Sequence, residues 1–216
     1  MQITIREPGS AITHFVGMLL AVLAAMPLLA KAGLSGSQTA VEAMMVFMGS
    51  MVLLYAASTI YHSVSVSERV LKVFRKVDHM MIFVLIAGSY TPVCMIVLGG
   101  KAGYMLLAAV WGIAAGGMLI KMLWINCPKW FSSVIYIAMG WVCVFVFGQL
   151  LQTLSTSAFL WLLAGGIIYT VGGVIYALKL PIFNSRHANF GSHEIFHLFV
   201  MAGSVCHFIF MYRYVL

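Results

Sequence analysis

Runs of about twenty apolar residues, separated by short polar or charged stretches, recur from one end of the chain to the other. Seven can be drawn, over about 12–31, 42–62, 78–98, 102–123, 131–150, 158–178 and 192–212. Each is long enough to cross a hydrocarbon core of about 30 Å as a helix. The apolar letters are continuous rather than alternating, which points to helices and away from the dyad pattern of barrel strands. The pattern predicts an all-α membrane protein, a seven-transmembrane helical bundle forming one domain over residues 1–216.

Composition agrees with this and excludes the soluble classes. Apolar letters make up 63% of the 216 residues and charged ones only 8%, against about a quarter in an ordinary soluble domain. The first span lacks the short apolar core and small-residue cleavage site of a secretory signal, so it is expected to remain in the mature protein. Nine of the twelve Lys and Arg flank one set of span ends: Arg6, Arg69, Lys72, Arg75, Lys76, Lys121, Lys129, Lys179 and Arg186. The other three, Lys31, Lys101 and Arg213, flank the opposite set. By the positive-inside rule the N-terminus is cytoplasmic and the C-terminus outside. The net charge of +7 is explained by this topology and by anionic headgroups rather than by nucleic acid.

Local features refine the expected bundle. The charged segment Ser63–Val77 reads as a solvated connection, and Asp78, the only aspartate, reads as a cap of the third helix, a role compatible with site duty. Gly112 and Gly116, and the glycines at 165, 166, 172 and 173, suggest close helix packing, and Pro27 and Pro92 suggest kinks. Cys94, Cys127, Cys143 and Cys206 form no C-x-x-C pair and read as small buried residues.

The chemistry gathers at the start of the last span, in Ser192-His193-Glu194-Ile195-Phe196-His197. His193 and His197, four apart on a helix, can reach one ion, and the stretch also fits the H-E-x-x-H pattern in which the Glu is a general base. Span 2 ends, span 3 begins and span 7 begins on the same side of the membrane, so His62, Asp78, His193 and His197 are expected at one depth. Three imidazoles with an open fourth position are a catalytic zinc arrangement. Asp78 can take a proton from a bound water, and Ser58, one turn from His62, can orient the ligands or donate to a substrate oxygen. Glu7 and His14 read either as interfacial capping groups or as outer support for this site. His207 lies about 15 Å along the helix from His197, too far to share its ion, and reads as a buried hydrogen-bonding residue. His187 has no evident partner.

These residues carry a resemblance. Ser58-x-x-x-His62, Asp78 and His193-x-x-x-His197, with the opening Glu7-Pro8…Thr13-His14-x-x-Gly17 and the segment from Phe196 to His207, resemble the progestin and adipoQ receptor family, especially its bacterial hemolysin III branch. The resemblance implies a seven-helix bundle in the bacterial inner membrane, with Zn2+ held by His62, His193 and His197 and a metal-bound water held by Asp78. It implies a metal-dependent hydrolase acting on a membrane lipid, like the ceramidases of the wider superfamily, or a role in lipid and energy homeostasis. The long N-terminal extension of the animal receptors is absent, so hormone sensing is not implied.

Three other readings stand beside the hydrolase. An intramembrane metalloprotease would use Glu194 as base, but its third ligand is commonly an aspartate followed by glycine, and Asp78 precedes His79. A membrane sensor would use zinc as a structural clamp. A cytolysin or pore is suggested by the branch name, although spans 4 to 6 lack the intramembrane charges that mark an ion path.

Overall fold

In the computed structural model, residues 5–178 and 190–216 are described. They form seven helices long and apolar enough to cross a membrane, and no strand among the described residues. These are α1 (Pro8–Leu34), α2 (Gln38–Ser63), α3 (Glu68–Leu98), α4 (Gly100–Leu123), α5 (Lys129–Thr153), α6 (Thr156–Leu178) and α7 (Ser192–Val215). Lys179, Arg186 and His187 lie outside the described residues.

Helix ends extend past the apolar runs, most of all in α3. Its N-cap is Ser67, so the charged stretch expected to be a loop is helical from Glu68 onward and only Val64–Ser67 connects α2 to α3. Hydropathy marks the part of a helix that lipid covers; the basic turns that project beyond it carry no apolar signal. The shift also corrects the reading of Asp78. It sits well inside a continuous helix, buried, and caps nothing.

Two interruptions have identifiable causes. After Pro92 the last turn of α3 is wound as a π-helix, Val93–Leu98, and Gly99 and Gly100 then turn the chain into α4 with φ of +56° and +52°, a conformation that favours glycine. Helix α5 breaks after Gly140 into a 3₁₀ segment, Val142–Val146, before its final helical turns. The Tyr90 hydroxyl donates to the Gly140 carbonyl (2.6 Å) and accepts from the Cys143 N–H (3.0 Å). It thereby satisfies backbone groups that lipid could not. Pro27, by contrast, lies inside an unbroken α1.

Packing centres on α2. Met44, Phe47, Met48 and Tyr55 form one core with Leu28 of α1, Leu85 of α3 and Phe210 of α7. A second core joins Phe83 and Ala87 of α3 to Val110 and Ala114 of α4 and Met139 of α5. Lipid tails are as apolar as these side chains, so fit rather than water exclusion holds the helices together. Gly117 admits the Phe83 ring, Gly88 admits Ser50 and Gly165 admits His207; a Cβ at any of these would overlap its neighbour. Gly112, Gly116 and Gly166 meet nothing within 4 Å, so the expected packing role belongs to their neighbours Gly117 and Gly165 and not to them. The residues 19, 20, 23 and 26 of α1, all Leu or Met, are exposed on its outer face, as a lipid-facing surface requires.

Candidate metal centre

The topology brings the starts of α1, α3, α5 and α7 to the same end of the bundle as the ends of α2 and α4. There His62 of α2 and His193 and His197 of α7 form a group in which one nitrogen from each lies within 4.8 Å of the others. His62 and His197 are buried and His193 is half-buried. The Nε2 atoms of His62 and His193 are 3.2 Å apart. Tetrahedral zinc with Zn–N bonds of about 2.05 Å sets neighbouring nitrogens about 3.3 Å apart, so this edge fits such an ion.

Hydrogen bonds fix which nitrogens are available. The Nδ1–H of His62 donates to the Glu7 carboxylate, leaving the lone pair on Nε2. The Thr13 hydroxyl has one proton and turns it on the backbone carbonyls of Gly9 (3.0 Å) and Ser10 (2.9 Å). Its contact with Nδ1 of His197, 3.1 Å, is therefore a bond accepted from His197 Nδ1–H, and Nε2 is again the free nitrogen. Partners of this kind orient metal-binding imidazoles and raise their basicity. Nδ1 of His193 is buried and has no hydrogen-bond partner among the described residues; its ring packs against Tyr176, with centroids 5.5 Å apart. The donor set fits a zinc ion.

The N-terminal turn of α1 is bound to this group at several points. Glu7 occupies the N-cap position of α1 but makes no side-chain cap; its carboxylate serves His62 and also meets Arg6 at 3.4 Å. The hydrogen bond with His62, with the Arg6 guanidinium beside it, holds the Glu7 carboxyl below the usual carboxylate range despite partial burial. Its backbone N–H donates to the His62 carbonyl, 3.0 Å. His14 lies flat on His197, with centroids 3.5 Å apart and planes 8° from parallel. Glu7 thus makes no side-chain cap, and both Glu7 and His14 contact the histidine group instead. Thr13 stands in the opening motif of the chain, but nothing in its spacing marks it as a partner of His197.

Glu194 is engaged elsewhere. One oxygen accepts from the Ser10 hydroxyl and the other from the Gly191 N–H, 2.8 Å, which makes it the capping residue of α7. It is bound as a helix-terminal anchor, not poised as a base.

A cavity of about 160 Å³ opens beside the histidines. His14, Asp78, His193 and His197 line it at this end, and Tyr169 and His207 line it deeper in the bundle. Its wall on α3 runs from Asp78 to Val93, about 22 Å of helix. Asp78 is not among the mutually close ligand atoms; its Oδ2 is 3.2 Å from Nδ1 of His79. Ser58 is fully buried one turn from His62, and its hydroxyl has no hydrogen-bond partner among the described residues. His207 is buried as expected, with Nε2 3.3 Å from the Leu162 carbonyl.

The family described as Haemolysin-III related matches residues 2–208. The chain is 39% identical over 210 residues to Hemolysin-3 of Bacillus cereus, covering 97% of this chain and 92% of that one. It is 36% identical over 206 residues to the Hemolysin-3 homolog of Bacillus subtilis (strain 168), covering 95% and 92%. Progestin and adipoQ receptor-like protein 1 of Caenorhabditis elegans is 28% identical over 182 residues, 75% of this chain and 41% of that protein. A multi-pass membrane protein of seven apolar helices, this chain belongs to the haemolysin-III-related family.

Proposed function

We propose that this protein binds one zinc ion through His62, His193 and His197 and hydrolyses an amide or ester bond of a membrane lipid. The observation that carries the reading is the trio of imidazole nitrogens within 4.8 Å of one another, two of whose rings, His193 and His197, line an apolar cavity. When bound, zinc supplies a Lewis acid and lowers the pKa of a water towards about 7. The chain's own residues do the rest. Glu7 and Thr13 hold the His62 and His197 rings with their Nε2 lone pairs free. Asp78, on the cavity wall, takes the proton of the attacking water and passes it to the leaving group. Ser58, one turn before His62, supplies a hydroxyl to the ligand set. The apolar chamber beside α3 receives the acyl chain and keeps bulk water from it.

The basic residues Arg6, Arg69, Lys72, Arg75, Lys76, Lys121 and Lys129 cluster at the histidine end. This supports a cytoplasmic N-terminus and a site facing the cytoplasmic leaflet of a bacterial inner membrane. Purified protein reconstituted with its native lipids, and assayed by mass spectrometry for fatty acid release with and without zinc, tests the activity. Zinc-dependent product supports it; loaded protein that forms no product across amide and ester lipids counts against it.

A second reading has its own observation. Glu7–His62, Thr13–His197 and Ser10–Glu194 stitch α1 to α2 and α7, as a structural zinc clamp in a membrane sensor would require. Loaded protein without product, but with zinc-dependent folding, favours that reading.

A further inference from the structure

Lys121, in the last turn of α4, is 2% exposed. An ammonium buried to that degree needs a counter-charge. The chain has only five acidic residues, Glu7, Glu42, Glu68, Asp78 and Glu194, and no ion pair joins any of them to Lys121 among the described residues. What surrounds Nζ instead is the Cys127 sulfur at 3.1 Å and the Ser132 hydroxyl. Ser132 Oγ in turn lies 3.3 Å from Cys127 Sγ. The Tyr136 ring lies 5.9 Å from Nζ.

We propose that Cys127, paired with Lys121 and Ser132, is a peroxide-reactive thiolate at the histidine end of the bundle. Nothing in the zinc-site reading requires it. Cys127 lies in the connection between α4 and α5, outside the membrane-spanning segments. Burial acts to raise its thiol, but hydrogen bonds from Ser132 and Lys121 and the Lys121 charge outweigh that and hold it below the ordinary thiol value. Other cations face the same connection. Arg75 of α3 reaches Asn126 (3.5 Å), Lys76 of α3 reaches the Met122 carbonyl, and Lys129 of α5 lies over the Tyr176 ring of α6. An electropositive setting of this kind is what activates cysteines. Cys94, Cys143 and Cys206 form no hydrogen bond with a cationic side chain among the described residues; Cys94 and Cys206 are buried as expected, whereas Cys143 is half-buried.

The reaction balances with these groups. The thiolate sulfur gives an electron pair to one peroxide oxygen; an S–O bond forms and the O–O bond breaks. Hydroxide leaves and takes a proton from the Lys121 ammonium to become water, while sulfur is oxidised to the sulfenic acid. Cys127 is 7% exposed, an opening suited to hydrogen peroxide rather than to a bulky oxidant.

The test treats the purified full-length protein with hydrogen peroxide, alkylates the remaining thiols in denaturant and quantifies all four cysteines by mass spectrometry. Cys127 is expected to oxidise at least about tenfold faster than the other three, and Lys121→Met to bring it within about twofold of them. A wild-type pH profile of the hydrogen peroxide oxidation rate, which needs no variant to fold, is expected to place the Cys127 midpoint below the ordinary thiol value of about 8.5. Oxidation of Cys127 no faster than of Cys143, or a midpoint at or above the ordinary value, overturns the proposal.

Discussion

Nε2 of His62 and Nε2 of His193 face each other at 3.2 Å, although 131 positions separate them in sequence. Because the His62 Nδ1–H is committed to Glu7, its Nε2 presents a lone pair to this gap. Two imidazole nitrogens approach so closely only with a proton or a cation between them. His197, held by Thr13 in the same tautomer, adds a third ring nitrogen to the group, and it is on these three that the proposed zinc site rests.

In the proposed zinc site the carboxylate of Glu7 would act on metal affinity through His62, to which it is hydrogen-bonded. Glu7→Ala is expected to weaken zinc binding about 10- to 100-fold, measured by competition with a chromophoric chelator. Arg6→Met leaves the carboxylate in place and is expected to change affinity far less. Equal affinity in Glu7→Ala and wild type would show that the ring needs no such support.

Asp78 and Glu194 separate two chemistries. Asp78→Asn is expected to keep full zinc stoichiometry while lipid turnover falls roughly 10²- to 10⁴-fold. Undiminished turnover in this variant removes Asp78 as the proton carrier.

Glu194→Gln should behave in the opposite way. It weakens the α7 cap and the bond from Ser10, at a cost of about 1 kcal/mol, and is expected to lower the thermal midpoint in detergent without abolishing turnover. Complete loss of activity in a folded Glu194→Gln protein would restore the metalloprotease-like role.

Adjacent glycines of α4 are expected to differ in kind. In Gly117→Ala the new Cβ runs into the Phe83 ring, whereas in Gly116→Ala it meets nothing within 4 Å. The first should destabilise by about 1–3 kcal/mol; the second should be neutral or stabilise by up to about 1 kcal/mol through helix propensity. Thermal unfolding of the two variants side by side checks this.

Much of the architecture was legible because a membrane helix writes its length directly into hydropathy: all seven spans stand where the apolar runs lie. The helix preceding Asp78 was not, because the basic turns from Glu68 to Val77 look like any solvated loop. The α5 break was hidden too, since it depends on a hydroxyl from Tyr90, about fifty residues away. At the site, the i, i+4 spacing of His193 and His197 and the shared membrane depth of His62 anticipated the trio. The Thr13–His197 bond, the Ser10–Glu194 bond and the His14–His197 stack were not anticipated, because each depends on how α1 is rotated against α7. Helix rotation in lipid is set by packing, which a run of apolar letters does not encode.

Metal content is the most direct test of the central claim. Purified wild-type protein, assayed by elemental mass spectrometry, is expected to carry one zinc per chain, and His62→Ala, His193→Ala and His197→Ala each to lose most of it while remaining folded in detergent. Well-folded wild type that holds far less than one zinc after incubation with the metal, or histidine variants that bind it as fully as wild type, would contradict the account.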